Sequence, residues 1–306
     1  MTSAYLSSTS EHFLSTSTHL SSTSQHSFSA SAHSTVASTH FSAPDADLVL
    51  RSGAPNSTDF RVHRCILAAS SPFFSDMFSL PQPTNTAHDV PLVEVSENAD
   101  VLDKLLSCIY PVPNPDLATL DELAQVLEAA CKYDVTASIN HLRALLVSPR
   151  FIEKQPLRVY AIACRFDLEE EAAIAAQHTL NVNLLECPLT DDLKHLSAYS
   201  FQELLNMHKR RAAAAQELLV LHEDVKCTMC NGTHYGQFIP PRWWKDFEAR
   251  ARKELEVRPT TAKIFSMGFL AESARAGCER CAGSILQAGW FFDQLKQSID
   301  SLPATV

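Results

Sequence analysis

Between residues 45 and 78 the spacing of apolar side chains switches from the strand period to the helical one, which fixes the order strand, strand, helix, helix. Leu48 and Leu50 alternate with Asp47, Val49 and Arg51, and Phe60 and Val62 alternate with Asp59, Arg61 and His63. This is the pattern of two strands that each bury one face. The connection, Ser52-Gly53-Ala54-Pro55-Asn56-Ser57-Thr58, is made of turn formers, so the two strands are expected to form a hairpin. After Arg64 the period lengthens. Ser71 is placed to cap a helix and Pro72 to occupy its first position, ahead of Phe73, Phe74, Met77 and Phe78 at helical spacing.

Three stretches of this region, Asp47-Leu48-Val49-Leu50, Phe60-Arg61-Val62-His63-Arg64 and Ser70-Ser71-Pro72-Phe73-Phe74-Ser75-Asp76-Met77-Phe78, resemble the corresponding parts of a BTB/POZ domain. The resemblance extends over residues 44–148. It implies a third strand at 90–95, a helix on Val101, Leu102, Leu105, Leu106 and Ile109 that stops at Tyr110-Pro111, and a last helix on Ile139, Leu142, Leu145 and Leu146. Between them, Thr119 and Glu122 have the spacing of a capping box, opening a helix on Leu120, Leu123, Leu127 and Ala130. Residues 156–164 and 169–180 look like the helical continuation of a large group of fungal, basidiomycete-type BTB proteins. The expected fold is an α+β BTB/POZ domain, a short mixed sheet packed with helices, followed by an all-α C-terminal region.

The resemblance implies a protein-interaction fold with one surface for self-association, as homodimer or hetero-oligomer, and one for a recruited partner. In family members acting in transcription a buried Asp and Arg lie at the dimer groove. By motif these correspond to Asp47 and Arg64, which are expected to pair, whether at an interface or as a plain structural salt bridge. Other members bind a cullin as substrate adaptors of ubiquitin ligases and carry a hydrophobic-x-acidic signature after the second helix. Here residues 78–86 contain no acidic residue, and the first is Asp89. A self-associating scaffold is therefore favoured over a cullin adaptor.

Composition narrows the function further. A formal net charge of −10 argues against nucleic-acid binding, because phosphate contacts need an excess of Lys and Arg. The basic runs at 209–211 and 250–253 read as solvated helix faces. No apolar run approaches the ~18–20 residues that span a bilayer, and the N-terminus has no charged and apolar leader pattern. Nine cysteines in such a chain imply reduced thiols, in the cytoplasm or nucleus. Only 7 glycines, with long Ala- and Leu-rich runs, favour helices.

Residues 4–45 divide into seven-residue Ser/Thr-rich units, with His12, His19, His26, His33 and His40 at one position of the unit. So little apolar surface implies a disordered tail over residues 1–43, with no strand to exchange between partners. Weak metal binding, phosphorylation and protonation are the other roles open to it.

Near the C-terminus the pattern Cys-x-x-Cys-x-Gly occurs twice, at Cys227, Cys230 and Gly232 and at Cys278, Cys281 and Gly283. Two thiolates three residues apart can grip one edge of a metal ion, with the glycine letting the backbone turn so that amides face the sulfurs. Two such knuckles complete a tetrahedral site for structural zinc. Unligated buried cysteines and a redox dithiol are the alternatives, and His222 or His234 could replace a cysteine. Cys65, Cys108, Cys131 and Cys164 stand among apolar residues at helical spacing and are expected to fill the core.

No phosphate loop, nucleophile elbow or His-Glu-x-x-His pattern occurs. The acidic clusters at 169–171 and 191–192 suit helix N-termini, and Asp167 with Glu170 has capping-box spacing. His63 sits at a strand-to-helix junction, where a structural role is favoured. A thiol-redox or zinc-dependent enzyme using the cysteine pairs is the weakest reading. The expected order is a tail at 1–43, the BTB/POZ domain at 44–148, a helical extension at 149–225 and a helical C-terminal region with the paired knuckles at 226–306.

Overall fold

The structure is a computed structural model and describes residues 36–54, 56–80, 90–234 and 237–305. Strands β1 (Val36–Ser42), β2 (Leu48–Arg51) and β3 (Thr58–Val62) precede helices α1 (Arg64–Ser70) and α2 (Pro72–Ser79), and β4 (Leu92–Glu94) completes a sheet of order β1-β3-β2-β4. β2 and β3 form the expected hairpin, with Leu48 opposite Val62 and Leu50 opposite Phe60. All four side chains point to one face and are at most 2% exposed. Ser71 caps α2 by accepting the Phe74 N–H at 3.1 Å, with Pro72 at the first position.

The tail expected to extend to residue 43 gives way to β1, which pairs in parallel with β3. Serine and threonine disfavour helix, but threonine suits a strand. Phe41, 5% exposed and edge-on to Tyr110, anchors β1 in the core. His40, the fifth histidine of the repeat, meets Asp103 at 3.3 Å. His12, His19, His26 and His33 lie outside the described residues, as does all of the repeat before residue 36.

Helices α3 (Ala99–Ile109), α4 (Leu120–Lys132) and α5 (Thr136–Leu146) cover the sheet. The Thr119–Glu122 capping box is formed in both directions. After α6 (Pro149–Ile152), helices α7 (Pro156–Arg165) and α8 (Glu169–Thr179) pack as a hairpin whose residues Val159, Tyr160 and Ile162 continue the same core. Two short 3-10 turns lead to α9 (Ala198–Glu217). The hairpin β5 (Gly232–His234) and β6 (Gln237–Ile239) interrupts the helical C-terminal region, before α10 (Arg242–Val257), α11 (Thr261–Ile264), α12 (Met267–Ala276), α13 (Cys281–Gln287) and α14 (Gly289–Asp300). None of the helices among the described residues is long and apolar enough to cross a membrane.

Two cores result, and α9 belongs to both. Its Leu204 and Met207 enter the first core, while its Ala215 joins Trp243, Trp244, Phe247, Phe291 and Phe292 in the second. Between these contacts lies Arg211, only 7% exposed. Its guanidinium donates to the carbonyls of Pro259, Ile299, Leu302 and Pro303. The basic run at 209–211 is thus no uniformly solvated face, because Arg211 satisfies the Ile299 carbonyl in the last turn of α14 and three loop carbonyls. Arg250 of the second run is likewise engaged, with Asp246, Glu272 and Ser273.

The α4–α5 and α7–α8 turns share a motif. Ala130-Cys131-Lys132-Tyr133-Asp134-Val135 is matched by Ala163-Cys164-Arg165-Phe166-Asp167-Leu168. In both, the aspartate adopts the left-handed conformation, at φ 50° and 53°. The next N–H bonds back to the alanine carbonyl at 2.9 Å in each case. This closure normally uses glycine, and aspartate is among the few residues that tolerate it. It overrides the capping box expected of Asp167 and Glu170: α8 begins after Leu168 without a side-chain cap. The same helices expose Cys131, and α1 exposes Cys65, while Cys108 and Cys164 are only partly buried. Cys65 and Cys131 therefore do not fill the core, because helical spacing of their apolar neighbours leaves open which face each thiol takes. Replacing Asp134 or Asp167 by alanine should cost ~1 kcal/mol in urea unfolding, and replacement by glycine should cost nothing. Equal losses for both substitutions would contradict the backbone explanation.

Candidate metal centre

The first cysteine pair lies in the turn that follows α9. The Cys227 N–H donates to Asn231 Oδ1 at 2.6 Å, which folds residues 227–231 back on themselves. The hairpin β5–β6 then carries the chain to Pro241 and the start of α10. The second pair lies between α12 and α13. Cys278 follows Gly277, which closes α12, and Cys281 is the first residue of α13. The four sulfurs all lie within 4.8 Å of one another. Cys227 and Cys278 Sγ are 3.5 Å apart, as are those of Cys230 and Cys281, and the Cys278–Cys281 and Cys227–Cys281 separations are 3.6 and 4.0 Å. Sulfurs at ~2.3 Å from one tetrahedral ion would be separated by ~3.8 Å. The cluster therefore has the size of a four-thiolate metal site, and Cys227, Cys230, Cys278 and Cys281 are the residues that could hold the ion. His222 stays with Asp224 and the Trp290 ring and is not part of the cluster. The His234 side chain lies outside the described residues.

The electrostatics of the cluster are uneven. Burial, reinforced by hydrogen bonds from the neighbouring thiols, pushes Cys230 up to about 12 against the Arg242 N–H. Burial also opposes ionisation of Cys278, but the Arg280 N–H and the other three thiols favour its thiolate and hold it at about 7. A cluster of thiols sharing negative charge in this way releases its remaining protons when a divalent cation binds. Backbone amides face the sulfurs. The Arg242 N–H, first in α10, points at Cys230 Sγ at 3.4 Å, and the Cys278 N–H at Cys281 Sγ at 3.2 Å.

At the other end of the molecule the second predicted site has a different form. Asp47 is exposed, and its carboxylate accepts the Arg64 backbone N–H at 2.7 Å. The Arg64 guanidinium instead lies over the Phe78 ring, 4.7 Å from its centroid, and donates to the Phe78 carbonyl. The expected buried ion pair is therefore not formed, because the carboxylate sits at the N-terminus of α1, where a backbone donor is free. His63 is structural as expected: its N–H donates to Tyr110 Oη at 2.7 Å. Beyond it, Glu97 accepts from Lys132 and Tyr133 and joins the β4–α3 loop to the end of α4. Hairpin, paired helices and capped third helix thus occur in the order that the sequence resemblance implies. Residues 41–149 match the BTB/POZ domain family. A comparison with curated proteins gives no match for the chain. The BTB/POZ match thus takes in β2, β3, β4 and helices α1–α5 with only the end of β1, and the cysteine cluster lies outside it.

Two residues important to the cluster escape the Cys-x-x-Cys-x-Gly pattern. Gly283 is not a turn glycine: it lies inside α13, and a Cβ there would meet open space. The glycine that matters in the second knuckle is Gly277, where a Cβ would overlap the Cβ and Sγ of Cys281. Ser284 is the other, 4% exposed beneath the first knuckle. The only sequence signal for Gly277 is its place directly before Cys278. Gly277→Ala should destabilise the protein by ~2 kcal/mol through overpacking and lower its metal content. Gly283→Ala should instead stabilise α13 by ~0.5–1 kcal/mol. Thermal unfolding with metal analysis of both variants checks this, and the reverse order would contradict the placement of the two glycines.

Proposed function

We propose that this protein is a non-enzymatic interaction module, a scaffold that self-associates through its BTB/POZ domain and carries a C-terminal helical module stapled by structural zinc. The observation that carries the reading is the match of residues 41–149 to a protein-interaction domain, with its sheet and helices complete in the fold. Asp47 and Arg64, which meet at the start of α1, are read as part of the self-association surface on the resemblance to family members acting in transcription. The cysteine cluster supports zinc by its all-sulfur donor set and tetrahedral size. A closed four-thiolate site has no open coordination position, so the ion would hold the turns together and not catalyse. Reduced thiols fit the cytoplasm or nucleus. Helices α7 and α8 are read as the continuation seen in fungal BTB proteins, on the resemblance of residues 156–164 and 169–180.

The partner of this scaffold is a protein surface, first of all a second copy of the chain. Adaptor function toward a cullin ranks below it, because the chain after α2 reaches its first acidic residue only at Asp89. Light scattering of the full chain across a hundredfold concentration range separates the two. A mass of twice 33.8 kDa that persists on dilution is expected. A monomer at every concentration would overturn self-association and turn the reading toward an adaptor for a different partner.

A further inference from the structure

Ser284 lies one helical turn beyond Cys281 and is buried. Its hydroxyl makes two hydrogen bonds that run in sequence. It accepts the Trp243 indole N–H at 3.0 Å and donates to the Lys226 carbonyl at 2.9 Å. Lys226 immediately precedes Cys227, so that carbonyl sets the path of the first knuckle. Trp243 is fully buried, and it is the second residue of α10. Arg242 beside it donates its backbone N–H to Cys230, and the Trp243 backbone N–H faces Cys281. Three segments that carry or face sulfur ligands therefore meet at one hydroxyl: the turn at Cys227, the start of α10, and α13 behind Cys281.

We propose that Ser284 and the Trp243 indole form a positioning relay that holds the two knuckles at metal-binding separation, which rests on the zinc reading above. A serine is suited to this place because its one hydroxyl can donate and accept at once. Alanine would leave the indole N–H and the Lys226 carbonyl without these partners in a buried site. The knuckles would still carry all four ligands, but the first would lose its tether to α13. Outer partners that orient ligands in this way change metal affinity by about 10–100-fold when removed. The two groups act in series, so their losses should not add.

The test uses the full chain with zinc in competition against a chromophoric chelator, and cobalt(II) absorption to read ligand geometry. Ser284→Ala and Trp243→Phe should each weaken zinc binding about tenfold or more and alter the cobalt bands. The double variant should lose little beyond either single one. Ser273→Ala serves as the control. Ser273 is a buried hydroxyl of the same region, but it binds Arg250 and neither knuckle. Its loss should leave zinc affinity unchanged even if it lowers the melting temperature. Wild-type zinc affinity in Ser284→Ala, or an equal loss in Ser273→Ala, would overturn the relay while leaving the zinc site standing. A wild-type chain that takes up neither metal would remove both.

Discussion

Four cysteine sulfurs gathered within 4.8 Å are the constraint on which the C-terminal half depends. They join turns whose facing cysteines are 51 residues apart in sequence, and the second turn lies between α12 and α13. α10 has no side-chain cap, and its first amide points at a sulfur. α13 opens on Cys281, and α12 closes on Gly277, which makes room for the Cys281 side chain. The packing beneath is aromatic. Trp243, Trp244 and Phe247 of α10 pack tilted or edge-on against Phe291 and Phe292 of α14 at centroid separations of 5.5–5.7 Å. These rings supply apolar burial, but apolar burial alone is not directional. The sulfurs and the Ser284 hydroxyl supply the direction.

α9 makes one unit of this half and the BTB/POZ domain. It enters both cores, and Arg211 at their boundary binds the Ile299 carbonyl in the last turn of α14 and the carbonyls of Leu302 and Pro303 beyond it. The last residues return toward the first core, where Ala304 packs and the Thr305 carbonyl accepts from Arg210. A burial cost for the Arg211 charge is offset by four carbonyl acceptors, which is why a cation sits in a place that its sequence neighbours suggest should be solvated. The BTB/POZ domain and the module that holds the cysteine cluster are thus connected by one continuous helix.

Much of the BTB/POZ domain was legible because its signals are local. The period of two at 48–62, the Ser71-Pro72 cap and the Thr119–Glu122 box each depend on residues within one or two turns, and each is formed. The two cysteine pairs that cluster were legible for the same reason, since each pair is a local motif. What the sequence concealed are relations across distance. β1 depends on Phe41 reaching Tyr110, which a serine-rich repeat does not advertise. Asp47 meets the Arg64 amide and not its guanidinium, a distinction that motif correspondence cannot make. Asp167 serves a backbone closure shared with Asp134, so its spacing to Glu170 was a coincidence. The knuckle glycine was misplaced because Gly283 repeats the pattern, while Gly277 is required by the Cys281 side chain folding back over it.

All three tryptophans of the chain, Trp243, Trp244 and Trp290, belong to the C-terminal module, so their emission reports that module alone. The most direct test is a chelator titration of the purified full chain, following tryptophan emission together with released zinc. One zinc per chain, lost in step with a red shift of the emission, is the result that a metal-stapled module predicts. Emission that stays constant while zinc leaves, or a chain that carries no zinc and is already folded, would contradict it.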